Sequence, residues 1–83
     1  MNRFGIIKKY IDEYDYYGLL ADHAPDNEFD DYSKQLADTI TEDDSVEDIS
    51  RLIANIMDKA FAEEIDPEKF IDTAEKIRKA LYE

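Results

Sequence analysis

The stretch SVEDISRLIANIMDKAFAEE, residues 45–64, decides the fold because its apolar residues recur along one side of an α-helix. Apolar side chains spaced three and four residues apart form a continuous stripe when the backbone is helical. Ser45 followed three positions later by Asp48 is the pattern of a capping box, which satisfies the free amides at a helix start. The sequence therefore predicts a helix from about Val46 to Glu64 with this inward stripe: Val46, Ile49, Leu52, Ile53, Ile56, Met57, Ala60 and Phe61.

Three further segments show helical spacing, and no segment alternates as a strand does. The first predicted helix runs from about Arg3 to Tyr14, the second begins at Asp26 after Pro25, and the fourth runs from about Pro67 to Tyr82. Aspartate is a favoured N-cap, and proline fits the first helical position. We expect an all-α fold, a single small domain over residues 1–83 with about four helices in an irregular array or bundle. The second helix turns four side chains inward: Phe29, Tyr32, Leu36 and Ile40.

The connection from Asp15 to Asn27 is long for a segment without regular structure, and such segments are often functional. Gly18 allows a turn, and we expect Leu19 and Leu20 to pin the connection to the core.

Tyrosines cluster where the first helix gives way to this connection. The helical spacing places Tyr14 in the core. Tyr16 and Tyr17 are neighbours in an irregular segment, so we expect at least one of them to be exposed. An exposed tyrosine among aspartates suits recognition of arginine and lysine.

Charge is concentrated in one part of the chain, whose total net charge is −12. Between Asp12 and Asp48 there are fourteen acidic residues and one basic residue, Lys34, which gives this acidic segment a net charge of −13. Such a surface repels nucleic-acid phosphates and anionic lipids, so the sequence argues against direct binding to either. A field of one sign instead steers a basic partner toward the protein.

The sequence offers little to catalysis. It has no cysteine, only two glycines and a single histidine, His23. His23 with Asp22, Asp26 and Glu28 would be a weak metal-ligand set, because one imidazole plus carboxylates lacks a defined spacing. No EF-hand spacing occurs, and paired carboxylates in so small a helical protein lack a deep cleft. We therefore predict no catalytic residue, cofactor or specific metal, and no enzyme activity.

Two short stretches, YDYYGLL at residues 14–20 and PDNEFD at residues 25–30, resemble the YugE-like family of small acidic helical bacterial proteins of unknown function. The family pattern is roughly Trp-Asp-Pro-x-Gly-Leu-Leu, followed by Pro-x-Asp-Glu-Tyr-Asp opening a helix. The similarity covers about residues 12–36 and implies an irregular array of a few helices, with no activity attached. The departures from the pattern are Tyr14 for tryptophan, Tyr16 for proline, Asn27 for aspartate and Phe29 for tyrosine.

These observations favour a non-catalytic, cytoplasmic protein that masks a basic protein partner. Its composition resembles that of immunity proteins that inhibit bacterial toxins, which are often small, acidic and helical. The candidate partner-binding residues lie in the acidic segment: Asp15, Tyr16, Tyr17, Asp22, Asp26, Asp30 and Asp31.

Three alternatives remain open at this point. The acids could imitate the charge of DNA and occupy a nucleic-acid-binding protein. They could serve solubility alone in a housekeeping or regulatory protein. A metal-dependent enzyme would require metal uptake that depends on His23. The sequence does not indicate an oligomeric state.

Self-repulsion within the acidic segment predicts that salt stabilises the fold. Raising NaCl from about 0.01 M to about 1 M shortens the Debye length from about 30 Å to about 3 Å. We expect the thermal midpoint to rise by about 4–8 °C, equivalent to about 1 kcal/mol for a domain of this size. Thermal unfolding followed by circular dichroism measures this rise. A midpoint that stays constant or falls with salt would contradict the prediction.

Overall fold

The computed structural model describes residues 2–25 and 27–83, without the side chain of Tyr17. These residues contain four α-helices and no β-strand, which confirms the all-α prediction. None of the four helices combines the length and apolar character needed to cross a membrane. The helices are α1 (Arg3–Tyr14), α2 (Asp30–Thr39), α3 (Val46–Phe61) and α4 (Ile71–Tyr82). A short 3-10 turn at Tyr16–Gly18 follows α1, and another at Pro67–Phe70 precedes α4.

The predicted helix caps at Ser45 and Asp66 are confirmed. The Ser45 hydroxyl accepts from the Asp48 amide at 3.1 Å, and an Asp48 carboxylate oxygen accepts from the Ser45 amide at 3.1 Å. The Asp66 carboxylate accepts from the Glu68 amide at 3.0 Å, at the start of the turn before α4. Each cap satisfies amides that have no partner within the helix.

The second helix begins at Asp30, later than the predicted start at Asp26. Residues 27–29 form turns instead of helix, and Asp26 itself lies outside the described residues. The Glu28 amide donates to the Pro25 carbonyl, and the Asp30 amide donates to the Asn27 carbonyl. These bonds span three residues and wind tight turns, whereas an α-helix needs bonds that span four. The first such bond runs from the Ser33 amide to the Phe29 carbonyl.

The boundary between α3 and α4 also differs from the prediction. α3 stops at Phe61 instead of Glu64, because Ala62 adopts a left-handed conformation with φ of 53°. An Asp58 carboxylate oxygen then accepts from the Ile65 amide at 2.7 Å, which turns the chain away from the helix axis. Pro67–Phe70 forms a 3-10 turn, so regular α-helix begins at Ile71 rather than Pro67.

The core follows the predicted apolar faces with two exceptions. Ala60 is exposed, and Tyr14 is 37% exposed. Leu19 and Leu20 are half-buried and pack against the core, as expected for residues that pin the connection. The largest fully buried side chains include Phe29 and Phe70. The buried apolar residues are Ile7, Ile11, Phe29, Leu36, Ile40, Ile49, Ile53, Ala54, Met57, Ile65, Phe70, Ala74 and Ile77.

Helix α1 lies against both α2 and α4, and α3 packs mainly on α4 and on the turn before it. Arg3 at the start of α1 reaches Ala37 near the end of α2. Lys8, midway along α1, contacts Asp30 at the start of α2, with 2.6 Å between the ammonium and the carboxylate. α1 and α2 therefore run in opposite directions.

The Arg3 guanidinium joins three helices. Its Nε donates to the Ala37 carbonyl at 3.0 Å, Nη1 donates to the Tyr82 hydroxyl at 2.7 Å, and Nη2 donates to the Ile40 carbonyl. The two carbonyls belong to the C-terminal end of α2, where free carbonyls and the negative end of the helix dipole favour a cation.

A second arginine holds the linker between α2 and α3. The Nε of Arg78 on α4 donates to the Asp44 carbonyl at 2.9 Å, and its Nη2 donates to the Glu42 carbonyl at 3.3 Å. Arg3 thus binds carbonyls at the end of α2, and Arg78 binds carbonyls in the linker that follows. These bonds hold the linker in place without regular secondary structure.

Replacing Arg3 by lysine should destabilise the protein although the charge is kept. A lysine ammonium cannot span two carbonyls and a hydroxyl as the planar guanidinium does. We expect Arg3→Lys to lower the free energy of unfolding by about 2 kcal/mol, as lost charge-assisted hydrogen bonds do.

Urea unfolding followed by circular dichroism measures this loss. Lys34→Arg, an exchange between the same two cations at an exposed position of α2, serves as the control and should change stability by no more than about 0.5 kcal/mol. Equal stabilities for the two variants would show that the Arg3 fork contributes nothing.

Candidate protein-binding surface

Four partly exposed aromatic side chains form a continuous line, which we call the aromatic row: Tyr14, Tyr16, Phe61 and Tyr32. The Tyr14 and Tyr16 rings are stacked with centroids 6.5 Å apart and planes 18° apart. The Tyr16 and Phe61 centroids are 4.9 Å apart, and those of Phe61 and Tyr32 are 6.2 Å apart. The row therefore crosses from the end of α1, over the end of α3, to α2.

Two buried phenylalanines lie beneath the aromatic row. Phe70 lies with its ring centroid 4.9 Å from that of Tyr14 and 6.2 Å from that of Tyr16. Phe29 lies 6.3 Å from Tyr32 by the same measure. Both phenylalanines are essentially inaccessible to solvent, so the row rests directly on the buried core. Rigid aromatic side chains of this kind lose little conformational entropy when a partner covers them.

Tyr16 is tied to a carboxylate at the edge of the row. Its hydroxyl donates to Glu63 Oε2 at 2.8 Å, across 47 positions of sequence. Partial burial of the phenol and this bond to Glu63 raise the pKa of Tyr16 from 10.0 to about 12. The neutral, hydrogen-bonded phenol is therefore the stable form through the neutral pH range.

The turn after α3 places Glu63 beside Tyr16. Ala62 has a positive φ, and the Glu63 amide donates to the Asp58 carbonyl at 3.2 Å. The Asp58 side chain fixes Ile65 on the other side of Glu63. The backbone around Glu63 is thus held at both ends, and its carboxylate is fixed by Tyr16.

A left-handed backbone conformation also occurs in the turn after α1, the other turn next to the aromatic row. Asp15, between Tyr14 and Tyr16, has φ of 52°. Non-glycine residues adopt this conformation at an energetic cost, and such residues cluster at functional sites. Asp15 and Ala62 therefore mark two strained turns that set the direction of neighbouring row members.

The seven predicted partner-binding residues have different roles in the structure. The Asp15 carboxylate accepts from the Leu20 and Ala21 amides at 2.7 and 3.0 Å, so it holds the connection together. The Lys8 ammonium donates to Asp12 and to Asp30, and these two bonds raise the pKa of Lys8. Asp15 and Asp30 are structural in the free protein, a role that the sequence analysis did not foresee.

Asp22 and Asp31 are exposed, and neither carboxylate bonds to a residue that the structure describes. Tyr16 is half-buried in the aromatic row. The expectation that Tyr16 or Tyr17 is exposed stays untested, since the side chain of Tyr17 lies outside the description, as does Asp26.

Four surface residues were not among the predicted site residues: Tyr14, Tyr32, Phe61 and Glu63. Helical spacing assigned the first three to the core. Tyr14 is open because it lies at the last position of α1, where its ring rests on Phe70 and Tyr16 without being enclosed. Glu63 had no local signal, because its role arises from a contact with the distant Tyr16.

Much of the acidic charge is exposed and has no side-chain bond to a described residue. Several acids have structural bonds, as in the Ser45–Asp48 capping box, where the backbone bond and Arg51 hold the pKa of Asp48 below its usual value. Six acids of the acidic segment are exposed with no side-chain bond to another described residue: Asp22, Asp31, Asp38, Glu42, Asp43 and Glu47. Side-chain bonds therefore do not account for these six charges. Asp31 and Glu47 lie in the first turns of α2 and α3, where the helix dipole favours an acid, and the other four have no such role.

An open cleft of about 680 Å³ lies beside the start of α3. Four acidic residues line it together with Ser50, Arg51, Pro67 and Ile71. Arg51 pairs with Asp48 at 2.7 Å. Within residues 2–25 and 27–83, no three histidine or acidic side chains approach closely enough to hold a metal ion.

Comparison with protein-family models, with curated protein sequences and with solved structures found no match for this chain. The resemblance to the YugE-like family therefore stays a prediction.

The raised pKa of Tyr16 predicts a late step in tyrosine ionisation. The unfolded chain ionises this phenol near pH 10 and the folded protein near pH 12. The stabilisation is thus complete below about pH 10 and is lost as the pH rises toward 12. An ultraviolet absorbance titration of tyrosinate should show a component that ionises near pH 12.

Two variants identify the residue responsible for this step. Tyr16→Phe should remove the late step, and Glu63→Gln should move it to lower pH because the repelling charge is gone. Tyr10→Phe, elsewhere on α1, should leave the step in place. A late step that persists in Tyr16→Phe would contradict the assignment.

Proposed function

We propose that this protein is a non-catalytic binding module that masks a basic protein partner, in the manner of immunity-type inhibitors of bacterial toxins. The observation that carries the proposal is the combination of a supported aromatic row with exposed, unbonded carboxylates. Either feature alone has an ordinary explanation in packing or solubility.

The exposed carboxylates would raise the rate of association with a basic partner and disfavour acidic competitors. Six unbonded acids, within a segment of net charge −13, attract a basic surface over a distance of about one Debye length. Electrostatic steering of this kind raises association rates by about 10–10³-fold and falls steeply with salt. It also disfavours acidic competitors, because like charges would meet at the interface.

The aromatic row supplies the lasting contact. Tyrosine is enriched among the few residues that dominate binding energy at protein interfaces. The row sits on buried Phe29 and Phe70, so binding need not first order these rings. We expect the row to set the dissociation rate and the acids to set the association rate.

Charge reversal at two positions tests whether the acidic segment is the binding surface. The variant Asp22→Lys/Asp31→Lys should lose the basic partner that the wild type retains from its source-cell lysate at low salt. With the identified partner purified, its association rate should fall by about tenfold or more.

Glu68→Lys/Glu75→Lys is the matched control. It changes the net charge by the same amount at exposed positions outside the acidic segment, and Glu68, like Asp31, lies in the first turn of a helical element. The control should bind nearly as well as the wild type. Equal losses in the two variants, or no loss in either, would refute the proposal; circular dichroism verifies that both fold.

A further inference from the structure

We infer that Glu63 and the adjoining aromatic row form a subsite for an arginine side chain of the partner. This inference rests on the proposed function and adds the chemistry of one contact. Glu63 lies outside the acidic segment and was not among the residues that the sequence predicted for binding, whereas Tyr16 was.

The Glu63 carboxylate retains capacity for a donor. Oε2 accepts one hydrogen bond from the Tyr16 hydroxyl. An ionised carboxylate has about four lone-pair positions, so further N–H groups can bind. Within the described residues Glu63 forms no ion pair, whereas Glu13, the residue before Tyr14, lies 3.7 Å from the Lys76 ammonium. An incoming cation at Glu63 therefore displaces no described cation.

The position of this carboxylate is fixed before binding. The Tyr16 hydroxyl holds the side chain, and Asp58 holds the backbone on both sides of it. Fixing a contact group in advance reduces the entropy lost on association. Glu64, the next residue, is also exposed but has no hydrogen bond to the row, so it serves as an internal comparison.

An arginine fits this arrangement better than a lysine. A guanidinium is planar, packs against aromatic rings and donates two parallel hydrogen bonds to one carboxylate. A lysine ammonium is a compact, strongly hydrated charge that gains less from a ring and cannot bind in the forked geometry. Tyrosine rings beside a fixed carboxylate offer a guanidinium both a ring to pack against and a carboxylate for its two hydrogen bonds.

Two synthetic peptides with blocked ends test the subsite without the natural partner. One carries arginines between glycines, and the other carries lysines at the same positions, so their charges are equal. We expect nuclear magnetic resonance titration to give about fivefold to tenfold tighter binding of the arginine peptide. The ring signals of Tyr14, Tyr16 and Phe61 should shift with that peptide.

Glu63→Gln and Glu64→Gln separate the subsite from general attraction, because they remove the same charge from neighbouring exposed positions. Glu63→Gln should abolish the preference for arginine, and Glu64→Gln should preserve it. Equal affinity of the two peptides for the wild type, or the same effect of both variants, would overturn the subsite.

The peptide experiment tests the subsite, and the charge-reversal experiment tests the masking function, so either proposal can be refuted without the other. An arginine preference that depends on Glu63 supports the subsite even when the charge-reversal test refutes the masking function. Partner binding that depends on Asp22 and Asp31 but shows no arginine preference overturns the subsite alone.

Discussion

The forked bond of Arg3 sets the frame on which the other features depend. It fixes the start of α1 to the end of α2 and to Tyr82 at the end of α4. The twelve residues of α1 then extend about 18 Å from this bond, and Tyr14 and the aromatic row lie at their far end. Helix α1 therefore connects the Arg3 bonds at its start to the candidate binding surface at its end.

The excess of negative charge on the surface is kept partly because three basic side chains form bonds inside the fold. Arg3 and Arg78 bind backbone carbonyls, and Lys8 bridges Asp12 and Asp30 between α1 and α2. These three cations join separate elements, so they do little to neutralise the exposed acids around them. A chain with only ten basic residues thus keeps its fold together and still presents unbalanced negative charge.

The features that sequence reasoning predicted correctly were local ones. Helical spacing identified all four helices, and the caps at Ser45 and Asp66 depend on residues two or three positions away. The start of α2 was missed because three-residue bonds after Pro25 compete with helix. The aromatic row and Glu63 were missed because the contact between Tyr16 and Glu63 joins distant segments, and spacing cannot tell an enclosed ring from one at a helix end.

The left-handed Ala62 exchanges backbone stability for rigidity in the turn that carries Glu63. Glycine would adopt the same backbone angles without the cost of about 1 kcal/mol that a side chain imposes there. It would also widen the range of conformations open to the segment that carries Glu63. A side chain at position 62 thus lowers the stability of the folded state and, in return, narrows the range of positions open to the Glu63 carboxylate.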